Sequence, residues 1–122
     1  MLKKFFLILL LLLIQPVQAG VLEDALQQND KVVLYLYTPQ CRYCKQSEPV
    51  FRKLSNNYKN KVKFVKVDAT TEYGMILSLR HQATYVPYVV MIDSKLKEGY
   101  RIIPSCMIDY SCANQALSDF VK

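Results

Sequence analysis

Residues 41–44 read Cys-Arg-Tyr-Cys, two thiols three positions apart, with Pro39 before them and Pro49 beyond. On a helix this spacing puts both sulfurs on one side, about one turn apart. Three chemistries use such a pair: a disulfide closing a turn, half of a tetrahedral zinc site, or a dithiol that exchanges electrons with other proteins. Cys106 and Cys112 form a second close pair and complete the four cysteines. Spacing alone leaves these readings open. The compartment of the sulfurs and the backbone presenting them must choose.

The compartment is written at the N-terminus. Lys3 and Lys4 precede the apolar run Phe5 to Ile14, and Val17-Gln18-Ala19 ends in a small residue, the pattern of a signal peptide over residues 1–19. As a helix the run is about 15 Å long, against a hydrocarbon core of about 30 Å. Cleavage before Gly20 is therefore the favoured reading. An uncleaved anchor is the alternative, with the lysines inside and the domain outside. Either way the expected location is periplasmic or secreted.

Of the 122 residues, 103 follow residue 19, enough for one domain over 20–122. With Lys3 and Lys4 set aside, 14 Lys and Arg face 10 Asp and Glu, a net +4. No basic block is long enough for a nucleic-acid footprint, so nucleic acid is not an expected partner. Two cysteine pairs in an oxidising compartment favour disulfides or dithiols over zinc. Neither a metal nor a cofactor is expected.

The elements that must present these sulfurs follow from hydrophobic period. Val21 to Gln28 reads as a short helix with Leu22, Ala25 and Leu26 on one side. Lys31 to Tyr37 is apolar at nearly every position, as in a strand covered on both faces. Thr38-Pro39 ends it. From about Cys41 a helix begins, with Val50, Phe51, Leu54 and Tyr58 on one face and Pro49 expected to kink it. Lys61 to Val67 is a second strand, and Thr71 to Arg80 a helix predicted to turn Met75, Ile76 and Leu79 inward. Gly74 weakens that helix by about 1 kcal/mol. Tyr88 to Ile92 and Leu96 to Ile103 are strands joined by a tight turn. A last helix runs from about Cys112 to Val121, with Ser111 as its N-cap. The first two strands are expected to be parallel and the last two antiparallel. The result is an α/β fold: a mixed central sheet of about four strands with helices on both faces.

A strand leading into C-x-x-C at a helix start, Lys45 after the second cysteine, Pro49 five residues beyond it, and "TYVPYVVMID" downstream together resemble the thioredoxin superfamily. The resemblance covers nearly all of the chain after residue 19. It implies a thioredoxin-like fold and thiol–disulfide exchange with protein substrates. It also implies that Pro87 is the family's cis-proline, with the backbone of Val86 facing the sulfurs. Two departures stand out. Tyr35 takes the place of a buried aspartate, and Gln40 that of a tryptophan.

Disulfide exchange needs one reachable thiolate and a second thiol close behind it. A helix start meets both needs, since its unpaired N–H groups and dipole favour negative charge. Cys41 is thus the candidate nucleophile and Cys44 the resolving thiol. Arg42 is expected to lower the Cys41 pKa from its free value of about 8.5. Tyr43, Tyr85 and Tyr88 flank the motif and the proline and are candidate substrate contacts, with core packing the equal alternative for several of the tyrosines. For Cys106/Cys112 the favoured reading is a structural second disulfide, and the sharper one a relay bordering the substrate groove. His81, the only histidine, receives no catalytic part. The expectation is a monomeric exported thiol–disulfide oxidoreductase acting on protein thiols and disulfides, with a membrane redox partner. Its alternative is a non-catalytic thioredoxin-fold assembly module of an envelope complex.

Overall fold

The computed structural model describes residues 20–122, so the leader and its cleavage site lie outside the described residues. The order is α1 (Val21–Gln28), β1 (Lys31–Tyr37), α2 (Arg42–Tyr58), β2 (Lys63–Asp68), α3 (Glu72–Arg80), β3 (Tyr88–Asp93), β4 (Glu98–Ile102), α4 (Pro104–Met107) and α5 (Tyr110–Phe120). The strands form one sheet in the order β2-β1-β3-β4. β1 pairs parallel with β2, and β3 is antiparallel to both β1 and β4.

Side-chain alternation on the central strands builds two cores. Val33 and Tyr35 of β1, with Val89 and Met91 of β3, pack against α2, α4 and α5. Val32, Leu34 and Leu36, with Tyr88, Val90 and Ile92, pack against α1 and α3. Both faces of β1 and β3 are therefore covered, which is why those segments are apolar without alternation. β4 is an edge strand, mostly exposed. It is shorter than its apolar pattern suggested, because the turn extends to Lys97, which sits at φ 54°.

The C-terminal boundaries differ from the sequence reading. Pro104, preset for a first helical turn, opens an additional short helix, α4. α5 then starts at Tyr110, capped by the Asp109 carboxylate accepting from the Cys112 N–H at 3.3 Å, not by Ser111. α2 continues through Pro49 to Tyr58.

The largest correction concerns α3. Leu77 is the fully buried side chain, at 0 % exposure, whereas Met75, Ile76 and Leu79 are 53, 41 and 81 % exposed. The reason is Gly74. It lies buried against the Asp68 carbonyl and the Ala69 backbone, where a Cβ would collide. The glycine side of the helix is thus the inward side, and it lets α3 approach the end of β2 closely. Tyr88 is also buried, its hydroxyl donating to the His81 carbonyl at 3.2 Å, so it is a core residue and not a substrate contact.

α1 is pinned to α3 by a polar cluster. The Tyr73 hydroxyl donates to Glu23 Oε2 at 2.5 Å and accepts the Leu22 N–H at 3.0 Å, while Arg80 Nη1 donates to Glu23 Oε1 at 2.9 Å. Burial and the Glu23 carboxylate push the Tyr73 phenol up to about 12. For Glu23, burial opposes ionisation, but Tyr73 and Arg80 outweigh it and hold the carboxyl below its ordinary value.

This packing is testable in two ways. Leu77→Ala lowers stability by about 2–5 kcal/mol, whereas Leu79→Ala changes it by less than about 0.5 kcal/mol, as read from urea midpoints. Because the folded Glu23 pKa lies below the unfolded value of 4.5, its stabilisation is present above that pH and is lost as pH falls through the folded value. Glu23→Gln is therefore less stable at neutral pH, and its melting temperature converges with that of the wild type as the solution is acidified through the folded Glu23 pKa, below 4.5.

Candidate redox site

β1 and β2 run parallel, so the chain leaves both at the same end of the sheet, and the Ala69 N–H donates to the Tyr37 carbonyl there at 2.7 Å. Thr38-Pro39-Gln40 turns the chain off β1 and into α2. Cys41 is the N-cap of that helix, with extended backbone, and its sulfur accepts the Cys44 N–H at 3.0 Å. An ordinary cap uses a side-chain oxygen for this bond. Here a sulfur takes the position, so the helix start addresses it directly.

Cys41 and Cys44 are joined as a disulfide, with Cα atoms 5.1 Å apart. Cys41 is partly exposed, and Cys44 is buried at 4 %. The Val86–Pro87 peptide is cis. It places the Val86 carbonyl oxygen 3.7 Å from Cys41 Sγ. The Leu36–Tyr88 pairing of β1 with β3 is what brings these segments, 45 residues apart, together. Pro87 is buried beneath them, while Arg42, Tyr43 and Tyr85 stay on the exposed side.

One residue of the site was missed by sequence reasoning. Ser47 is fully buried on the inward stripe of α2, alongside Cys44, Val50, Phe51 and Leu54. Its hydroxyl lies 2.5 Å from the Tyr35 hydroxyl and donates to the Cys44 carbonyl at 3.1 Å. Tyr35 is itself within 3.2 Å of that carbonyl. The available signal was a serine at a core position of an amphipathic helix, which demands a polar partner. Burial pushes the Tyr35 phenol up, against the opposing effect of Ser47, so it stays neutral. Where the resemblance led one to look for a carboxylate, this chain has two neutral hydroxyls. They address the backbone carbonyl of Cys44 and not its sulfur. Glu48, the next residue on α2, is held by Lys66 at 2.7 Å.

The second pair is also bonded. Cys106 of α4 and Cys112 of α5 have Cα atoms 5.2 Å apart. Cys106 is buried in the same core as Phe51 and Leu54 of α2, whereas Cys112 is exposed. Ile102 pairs with Val89, so the end of β4 does return toward Pro87.

With this geometry in view, comparison with known proteins is decisive for kinship. A family model described as thioredoxin matches residues 14–99. The chain belongs to the thioredoxin family. A thioredoxin of Borreliella burgdorferi is 31 % identical over 65 residues, covering 53 % of this chain and 56 % of that one. Thioredoxin C-2 of Corynebacterium nephridii is 42 % identical over 48 residues, 39 % of this chain and 44 % of that one. The chain thus spans about half the length of the curated relatives it matches. Among solved structures, mitochondrial thioredoxin 3 of Saccharomyces cerevisiae superimposes with a TM-score of 0.65 at 25 % identity, over 79 % of this chain and 84 % of that one. A point-mutant thioredoxin of Halobacterium salinarum gives 0.70 at 20 % identity, over 87 and 88 %, a likeness of fold.

The hydroxyl pair yields a prediction that separates support from chemistry. Tyr35→Phe leaves buried Ser47 short of one partner and costs about 1–3 kcal/mol of stability. Because the hydroxyls meet a carbonyl present in both redox states, the midpoint potential moves by less than about 15 mV, half of the roughly 30 mV that corresponds to about 1.4 kcal/mol. Urea melts and equilibration against a glutathione buffer read the two quantities.

Proposed function

We propose that this protein is an exported thiol–disulfide oxidoreductase that exchanges disulfides with protein substrates through Cys41 and Cys44. The observation that carries the reading is the asymmetry of the two sulfurs: one partly exposed and bonded to a helix-start amide, the other buried one turn below. In the reducing direction the Cys41 thiolate attacks a substrate disulfide. One substrate sulfur leaves as a thiolate and takes a proton from water. Cys44 gives its proton to solvent, attacks Cys41 Sγ and expels the second substrate thiolate, which leaves Cys41–Cys44 oxidised. The reverse sequence oxidises a substrate dithiol. The cis Val86–Pro87 segment, beside the sulfur, offers backbone on which an extended substrate can lie. Tyr43 and Tyr85 supply apolar surface around it. Export rests on the leader-like residues 1–19, and recycling falls to a membrane redox partner.

The Cys106–Cys112 bond serves in this reading as a brace. The Asp109 carboxylate caps the helix start at Cys112 and disfavours a thiolate there, whereas the first turn of α2 carries no acid.

Trapping tests the function. Cys44→Ala accumulates mixed disulfides with envelope proteins, seen as adducts that vanish with reductant, and Cys41→Ser/Cys44→Ala yields none. An absence of adducts from Cys44→Ala would favour a non-catalytic module. Cys106→Ser/Cys112→Ser loses about 2 kcal/mol, the chain-entropy value for so short a loop. It keeps its rate of disulfide reduction in a dithiothreitol-driven assay. A lost rate at retained fold would make the second pair part of the chemistry.

A further inference from the structure

α3 is apolar on two opposite sides. At about 100° per residue, buried Gly74 and Leu77 lie on one side, and exposed Met75, Leu79 and Ile76 lie within an arc of about 100° on the other, with exposed Glu72 one turn before Ile76 at its N-terminal end. A cluster of exposed apolar side chains opposite a buried face marks a surface that contacts something else. Here the outer arc faces outward with no element of residues 20–122 packed over it.

The chain's own route indicates what covers it. Gly20 lies against the Tyr73 ring, and the first turn of α1 is held along α3 by the Glu23 bonds to Tyr73 and Arg80. The chain therefore enters the described residues at Gly20, beside Tyr73 of α3. This point is also at the active-site end. α3 begins just past β2, where Thr70 lines an open hollow with Thr38, Pro39 and Gln40. Exposed Val21 follows Gly20 directly. The run Phe5 to Ile14 is apolar at all ten positions. Three side chains on α3 could cover only one flank of such a segment, whereas a lipid bilayer satisfies all its flanks and the α3 arc together.

We propose that, while residues 1–19 are attached, the outer face of α3 seats Met75, Ile76 and Leu79 on the lipid bilayer that holds the leader, bringing the Cys41 end of the domain beside the membrane surface. The proposal rests on the leader reading of residues 1–19 but not on redox cycling. The orientation gives the active site first access to disulfides presented at a membrane.

The chain contains no tryptophan, so Leu79→Trp provides a single depth probe. The full chain carrying it is reconstituted in phosphatidylethanolamine/phosphatidylglycerol vesicles, with and without lipids brominated on the acyl chain. Tyr100→Trp, on the sheet face that carries α5, is the control. The expected result for Leu79→Trp is a blue-shifted indole emission that brominated lipid quenches to less than about half, as fits a side chain about 5–10 Å into the interface. The indole of the Tyr100→Trp control is unquenched. Adding Met75→Ser/Ile76→Ser to Leu79→Trp reduces the quenching. An emission from Leu79→Trp that stays red and unquenched would overturn the proposal, as would equal quenching in the probe and the control. A blue shift in the absence of lipid, accompanied by a doubled mass, would assign the face to a second copy instead. The readout is independent of whether the cysteines cycle, so it fails separately from the proposed activity.

Discussion

One sulfur held between two backbone groups is the constraint on which the site depends. Cys41 Sγ accepts the amide of Cys44 at 3.0 Å and faces the carbonyl of Val86 at 3.7 Å. The first contact needs a helix that starts on the cysteine, and the second needs a strand that starts just after a cis-proline. Both needs are met by the sheet, because the Leu36–Tyr88 pairing sets the end of β1 beside the start of β3. The two cores then hold that pairing from both faces. A reduced Cys41 would keep the amide bond as a thiolate, and a neutral thiol could donate to Val86.

The second disulfide provides an internal contrast. Cys112 lies inside the first turn of a helix and is exposed, with a buried partner in Cys106, whereas Cys41 is itself the N-cap of its helix and only partly exposed. A second difference is electrostatic. Asp109 places a carboxylate at that helix start, while the start at Cys41 has no acid and is followed by Arg42. A helix N-terminus favours a thiolate only when its donors are not already engaged by another anion. The two disulfides therefore meet their helix starts in different backbone and electrostatic settings.

How much of this was legible depended on how many principles acted at each position. The strands Lys31–Tyr37 and Tyr88–Asp93 were readable because unbroken apolar runs have few alternatives, and the mixed sheet followed from the connections. The cysteine motif and Pro87 were readable through resemblance. α3 was misread because the residue that decides its inward face is a glycine, which carries no hydrophobic signal. Three larger apolar residues pointed the other way. Ser47 was passed over because helix stripes are searched for apolar residues, although a polar one in the stripe is the more informative observation. The start of α5 was displaced by α4, a four-residue helix too short to show a period.

The central claim is that the helix start holds Cys41 as the reactive thiol. The most direct measurement is the pH dependence of iodoacetamide labelling at each cysteine of the reduced protein, resolved by peptide mass spectrometry. If the helix start favours the thiolate, Cys41 labels first, with a midpoint below the free-cysteine value of about 8.5, and Cys44 stays protected in the folded state. A Cys41 midpoint at or above that value, or faster labelling of Cys44, would contradict it.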